Sequence, residues 1–224
     1  MSIPTRCWLA GLALIVGGVL AAISHTYHLE PPSDPAQLAQ YARVSQPIHL
    51  LLFAGGILVL LGWSGQYGLH CSHSGFTGLF AFLCIFLGIL FGDVLHCILE
   101  FSVFPVLSSS VPYAVPALAS ATYEATPLAA LLKTGQLMIL AGVSATAYSI
   151  LRVRTLPRWT AVPFGITVAF LGWDMVGPPV AIGSASFIAL YCSMVILGLA
   201  VIRTARPSAS PSINGKPGAE TSTS

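Results

Sequence analysis

Asp93, His96 and Glu100 interrupt an apolar run that extends from Phe76 to Phe101. An imidazole and two carboxylates are ligand types for zinc or another first-row divalent ion, and they also take up and release protons. At i, i+3 and i+7 the three side chains share one face of a helix. A charged side chain inside hydrocarbon costs ~2.5–3.5 kcal/mol on insertion scales, so such residues turn inward to a partner or a pathway. His49 opens a second apolar run that ends near Tyr67 and supplies a further imidazole. The expected metal-ligating set is His49, Asp93, His96 and Glu100, with His25, His28 and Asp174 able to close the pocket.

Six apolar segments must position this set: residues 8–24, 49–67, 76–101, 134–151, 159–174 and 180–202. Most approach the ~20 residues that cross ~30 Å of hydrocarbon as a helix. Only 7% of the residues are charged and 55% are hydrophobic, with a mean hydropathy of +0.84. That balance excludes an ordinary soluble domain. The segments lack the alternation of barrel strands. The expected fold is an all-α polytopic bundle of six transmembrane helices.

Orientation follows from the basic residues. Arg6, Arg152, Arg154, Arg158, Arg203, Arg206 and Lys216 fall on one side of such a bundle and only Arg43 and Lys133 on the other, seven against two. Both termini are therefore expected in the cytoplasm, with the polar set in the outer half. Trp8, Trp63, Tyr67, Trp159 and Trp173 sit near segment ends, as interfacial aromatics do. The first segment reads as a retained helix, since no A-x-A cleavage site follows it. Residues 1–206 form the expected membrane domain, and residues 207–224, rich in Ser, Pro, Gly and Thr, a disordered cytoplasmic tail. The proline-broken segment 102–133 is expected to pack as a cap or partial re-entrant element. Gly17, Gly18, Gly55, Gly56, Gly88 and Gly92 mark positions where helix backbones can approach closely.

Other chemistries compete for the same residues. His49 and His96 on antiparallel helices suit the axial positions of a b-type haem, and Asp93 with His96 suits proton handling. A structural role is the plainest alternative, with Asp93 paired to Lys133 or His49, His96 bonded to a backbone group and Glu100 at the headgroup level. His70-Cys71-Ser72-His73 reads as a surface connection. The formal charge of +2 gives no basis for nucleic-acid binding. Five cysteines without a C-x-x-C pair imply no disulfide framework. The chain carries no G-x-S-x-G elbow, H-E-x-x-H or phosphate loop, so no catalytic residues are assigned.

His49-Leu50-Leu51-Leu52-Phe53-Ala54-Gly55-Gly56, the stretch Gly65-Gln66-Tyr67-Gly68 and the turn Arg154-Thr155-Leu156-Pro157-Arg158-Trp159 resemble segments of a group of uncharacterised small multi-pass bacterial membrane proteins. The stretch from Glu100 to Pro105 departs from the acidic, proline-terminated third helix of that group. The resemblance covers roughly residues 45–173 and implies a bundle in the bacterial inner membrane, without an activity. The expectation is thus a multi-pass protein of the lipid bilayer whose outer pocket binds a divalent metal such as zinc, another cation or a small polar ligand. The alternatives are a haem-binding redox protein, a metal-dependent membrane enzyme and a structural subunit of a membrane complex.

Overall fold

A segment with almost no charge and no water beside it must satisfy its backbone amides internally, and helices do so within one segment. The computed structural model describes residues 2–29, 32, 34–111, 113–114, 126–153, 156–176 and 183–204. Among these, six helices are long and apolar enough to cross a membrane: α1 (Ile3–Thr26), α2 (Ala39–Leu69), α3 (Gly75–Leu107), α4 (Pro127–Val153), α5 (Arg158–Val176) and α6 (Ser184–Thr204). The tail at 207–224 lies outside the described residues.

Local chemistry sets several boundaries. The Ser2 hydroxyl caps α1 by accepting from the Thr5 amide, and Pro4 occupies the first turn, where its missing N–H is no loss. Asp34 accepts from the Ala36 amide at 2.9 Å and starts the short 3-10 turn Pro35–Gln37 that leads into α2. Between α2 and α3 the helical pattern is broken at Gly75, whose φ of 54° favours glycine.

Close backbone approaches hold the bundle together. A Cβ on Gly17 would stand 2.7 Å from the Gly55 carbonyl oxygen of α2, and one on Gly11 2.7 Å from the Gly198 carbonyl oxygen of α6. Helix α1 therefore lies against both α2 and α6. In the same way a Cβ on Gly88 would stand 2.9 Å from the Gly135 carbonyl oxygen, which seats α3 against α4. Helix α5 packs between α4 and α6. The core between these helices includes Leu14, Val59, Ile85, Ile139, Phe164 and Leu197.

Helix α3 contains two π turns, Leu90–Val94 and Leu99–Val103. In each, the amide at the end reaches one residue further back than in an α-helix: Leu95 N–H to Leu90 O and Phe104 N–H to Leu99 O. The second turn is followed at once by Pro105. A proline leaves the carbonyl four residues before it without its helical donor. That carbonyl, Phe101 O, is taken by Gln46 Nε2 from α2 at 3.3 Å. The helix consequently passes through the proline, and helical turns continue to Ser110. The expected break at residue 102 is therefore corrected for 102–110, which extend α3, and for 127–133, which open α4. The rest of the expected cap, residues 115–125, lies outside the described residues.

Candidate metal centre

Three elements bring imidazoles to one end of the bundle. His49 lies in the early part of α2 and is fully buried; His96 lies between the π turns of α3. His28 follows the C-cap residue Tyr27 of α1, on a stretch with no regular structure. The ring centres of His28 and His49 are 4.9 Å apart, those of His28 and His96 5.5 Å, and those of His49 and His96 5.5 Å. Each ring offers one nitrogen, and the three nitrogens lie within 4.8 Å of one another. The convergence of His49 and His96 expected from the sequence is present, and His28 joins them as the third donor.

The hydrogen bonds fix which nitrogen His49 presents. Its Nδ1 is 2.9 Å from the Ser45 carbonyl oxygen and 2.8 Å from Ser45 Oγ. A carbonyl oxygen only accepts, so the contact assigns the proton to Nδ1 and leaves a lone pair on Nε2. That Nε2 is buried and has no hydrogen-bond partner among the described residues. An unsatisfied buried polar atom costs ~1–3 kcal/mol, so its position asks for an explanation. The Nδ1–H to backbone carbonyl bond is also the usual way in which a ligating histidine is oriented.

His28 Nε2 and His96 Nε2 face each other at 3.3 Å. Zinc holds imidazole nitrogens at ~2.0–2.1 Å in a tetrahedron, which puts two such nitrogens about 3.3 Å apart. The pair thus already stands at the edge length of a tetrahedral site.

The two acids of the expected ligand set face other partners. Asp93, 3% exposed, accepts from the Tyr191 hydroxyl of α6 in a short hydrogen bond. It also meets His25 Nε2 of α1 at 3.5 Å. Both contacts use Oδ2. The His25 ring is sandwiched against Phe187, with ring centres 4.9 Å apart, and lies 6.4 Å from the ring of His28. Glu100, 4% exposed, accepts from the Tyr41 hydroxyl of α2 at 2.5 Å. Among the described residues the side chains whose ligand atoms converge are His28, His49 and His96, without Asp93 or Glu100. Lys133 and Asp174 are exposed, so the pairing of Asp93 with Lys133 weighed from the sequence is replaced by Tyr191 and His25. Glu100, considered for the headgroup level, is buried against Tyr41.

Sequence reading did not single out His28 as a ligand, nor Tyr41, Ser45 and Tyr191 at all. Ser45 carried a signal, since it lies four residues before His49 on the same helical face. A tyrosine in an apolar span also needs a partner for its hydroxyl, a signal available for Tyr191.

The described residues form an all-helical bundle with six helices long and apolar enough to cross a membrane and a three-histidine cluster at one end. No protein-family model, no curated protein and no solved structure matches the chain.

Proposed function

We propose that this is an integral membrane protein of the bacterial inner membrane that binds a divalent first-row transition ion through His28, His49 and His96, with an open fourth position. The observation that carries the reading is the buried Nε2 of His49, without a hydrogen-bond partner among the described residues, in a cluster of three imidazoles. A bound ion supplies the missing partner. Closing a tetrahedral site around it draws the widest nitrogen pair inward by about 1.5 Å at most. Three neutral imidazoles leave the ion's double charge uncompensated, and in a low-dielectric interior that charge needs anions nearby. Asp93 and Glu100 are the buried carboxylates of the described residues, three residues before and four residues after His96 on α3. Zinc suits a nitrogen-rich tetrahedral site best, and three protein ligands with one open position are the pattern of sites that bind a water or a substrate group.

A b-type haem between His49 and His96 suits the cluster less well. The macrocycle occupies every equatorial position of its iron, and the ring of His28 stands 4.9 and 5.5 Å from the other two rings.

The test is metal titration of purified, chelator-stripped protein that carries no polyhistidine tag. One zinc or cobalt ion per chain is expected, with the intense visible absorption of four-coordinate cobalt(II). His49→Ala should lower affinity beyond the ~10–100-fold that supporting residues contribute. Absence of stoichiometric binding, or equal binding by His49→Ala, removes the proposal.

A further inference from the structure

The three donors are not held alike. His49 and His96 sit within helices, whereas His28 lies beyond the end of α1, two residues past its last helical residue Thr26. Its neighbour Leu29 is approached from the side. The Tyr41 hydroxyl lies 3.4 Å from the Leu29 carbonyl oxygen and 2.5 Å from Glu100 Oε2. Tyr41 and Glu100 are both buried, and with Phe104 and Leu107 the tyrosine forms a small apolar cluster apart from the main core. This buried pair joins α2 to α3 and touches the chain next to the third donor, yet it takes no part in ligation.

We infer that Tyr41 and Glu100 are positioning residues that hold the His28 arm over the other two imidazoles and so convert a two-histidine site into a three-histidine one. The inference rests on the three-histidine reading above. A ligand on a side-anchored arm is the one that can leave first, so the same pair governs how readily the ion is released. The helix-borne pair, His49 and His96, holds an ion less tightly without it.

Cobalt(II) binding by the full chain tests this, with the wild type, Tyr41→Phe, His28→Ala and the double variant. Tyr41→Phe removes one oxygen and keeps the ring packed. It should weaken cobalt affinity by ~10–100-fold, the range for residues that orient a ligand, and speed its release to a chelator. In the His28→Ala background the same substitution should change affinity less than twofold, because its effect acts through that side chain. A merely structural role for Tyr41 would lower affinity equally in both backgrounds, and that result overturns the inference. So does wild-type affinity in Tyr41→Phe. If Tyr41→Phe does not fold, the cycle is run with Glu100→Ala, and the part of its loss that disappears with His28 is the positioning effect; no such part overturns the inference. A wild type that binds no cobalt removes the three-histidine reading and this inference together, whereas binding with an uncoupled Tyr41 removes the inference alone.

Discussion

Asp93 has three neighbours in chemical terms: the Tyr191 hydroxyl, the His25 imidazole, and a backbone wound locally as a π turn. An isolated carboxylate in such an interior is expensive, and two donors converging on a single oxygen relieve that expense. Tyr191→Phe leaves the packing volume almost unchanged and removes one of the donors. It is expected to destabilise the protein by ~1–3 kcal/mol, the cost of leaving a buried acceptor short of a partner. Chemical or thermal unfolding in detergent measures this. Cobalt binding to the folded variant should stay within a few-fold of wild type, since the Tyr191 hydroxyl bonds Asp93 and its ring faces His25, neither of them in the three-histidine group. Residue type alone announced that Asp93, His96 and Glu100 turn inward, because hydrocarbon gives a charge no alternative. Which partner each would meet was not legible, since that depends on the local winding of α3. Two π turns within fourteen residues shift the faces on either side of His96 away from a strict i, i+3, i+7 stripe. His28 was expected only to close the pocket, not to join the ligand set, because it lies past a helix end, where no periodicity says which way a side chain points.

At the scale of elements, the site depends on how closely α1 approaches α2, because α1 delivers His25 and the His28 arm. A Cβ on Gly55 would stand 2.8 Å from both the Ala21 amide nitrogen and the Gly17 carbonyl oxygen. Those are backbone atoms, so the helices must separate to admit it. Gly55→Ala is expected to weaken zinc affinity by at least tenfold and lower the unfolding midpoint, although no ligand is altered. Gly165→Ala in α5 provides the comparison, since no atom of the described residues lies within 4 Å of the Cβ it adds. In a helix interior that exchange should be neutral or stabilising by up to ~1 kcal/mol. Equal behaviour of the two variants in a zinc titration and a melt would contradict the role given to the α1–α2 approach. The helices themselves were largely legible, because length and hydropathy alone delimit a span. The proline-broken stretch after α3 was not. Pro105 signals an end by its own chemistry, yet helical turns continue to Ser110, with the Gln46 side chain, fifty-five residues back, donating to Phe101 O.

For the whole molecule, the ends of the bundle differ in kind. Arg6, Arg152, Arg158 and Arg203 stand at or near helix termini on one side, where α1 begins, α4 ends, α5 begins and α6 ends. The imidazole cluster and its two acids gather toward the opposite end. Positive residues near span ends are retained in the cytoplasm, so the orientation expected from the sequence would open the proposed metal centre to the outer side. Single cysteines in a background without the five native ones separate the two orientations. Asp34 precedes α2 at the cluster's end and His73 lies between α2 and α3 at the other; both are exposed. In intact cells a membrane-impermeant maleimide is expected to label Asp34→Cys and to spare His73→Cys until the membrane is opened. The reverse pattern would turn the cluster toward the cytoplasm, where the ion would come from a reducing, metal-buffered compartment. Zinc added outside intact cells should then no longer protect a cysteine introduced at the rim of the cluster. In the proposed orientation external zinc slows that labelling, and the protection disappears in His49→Ala.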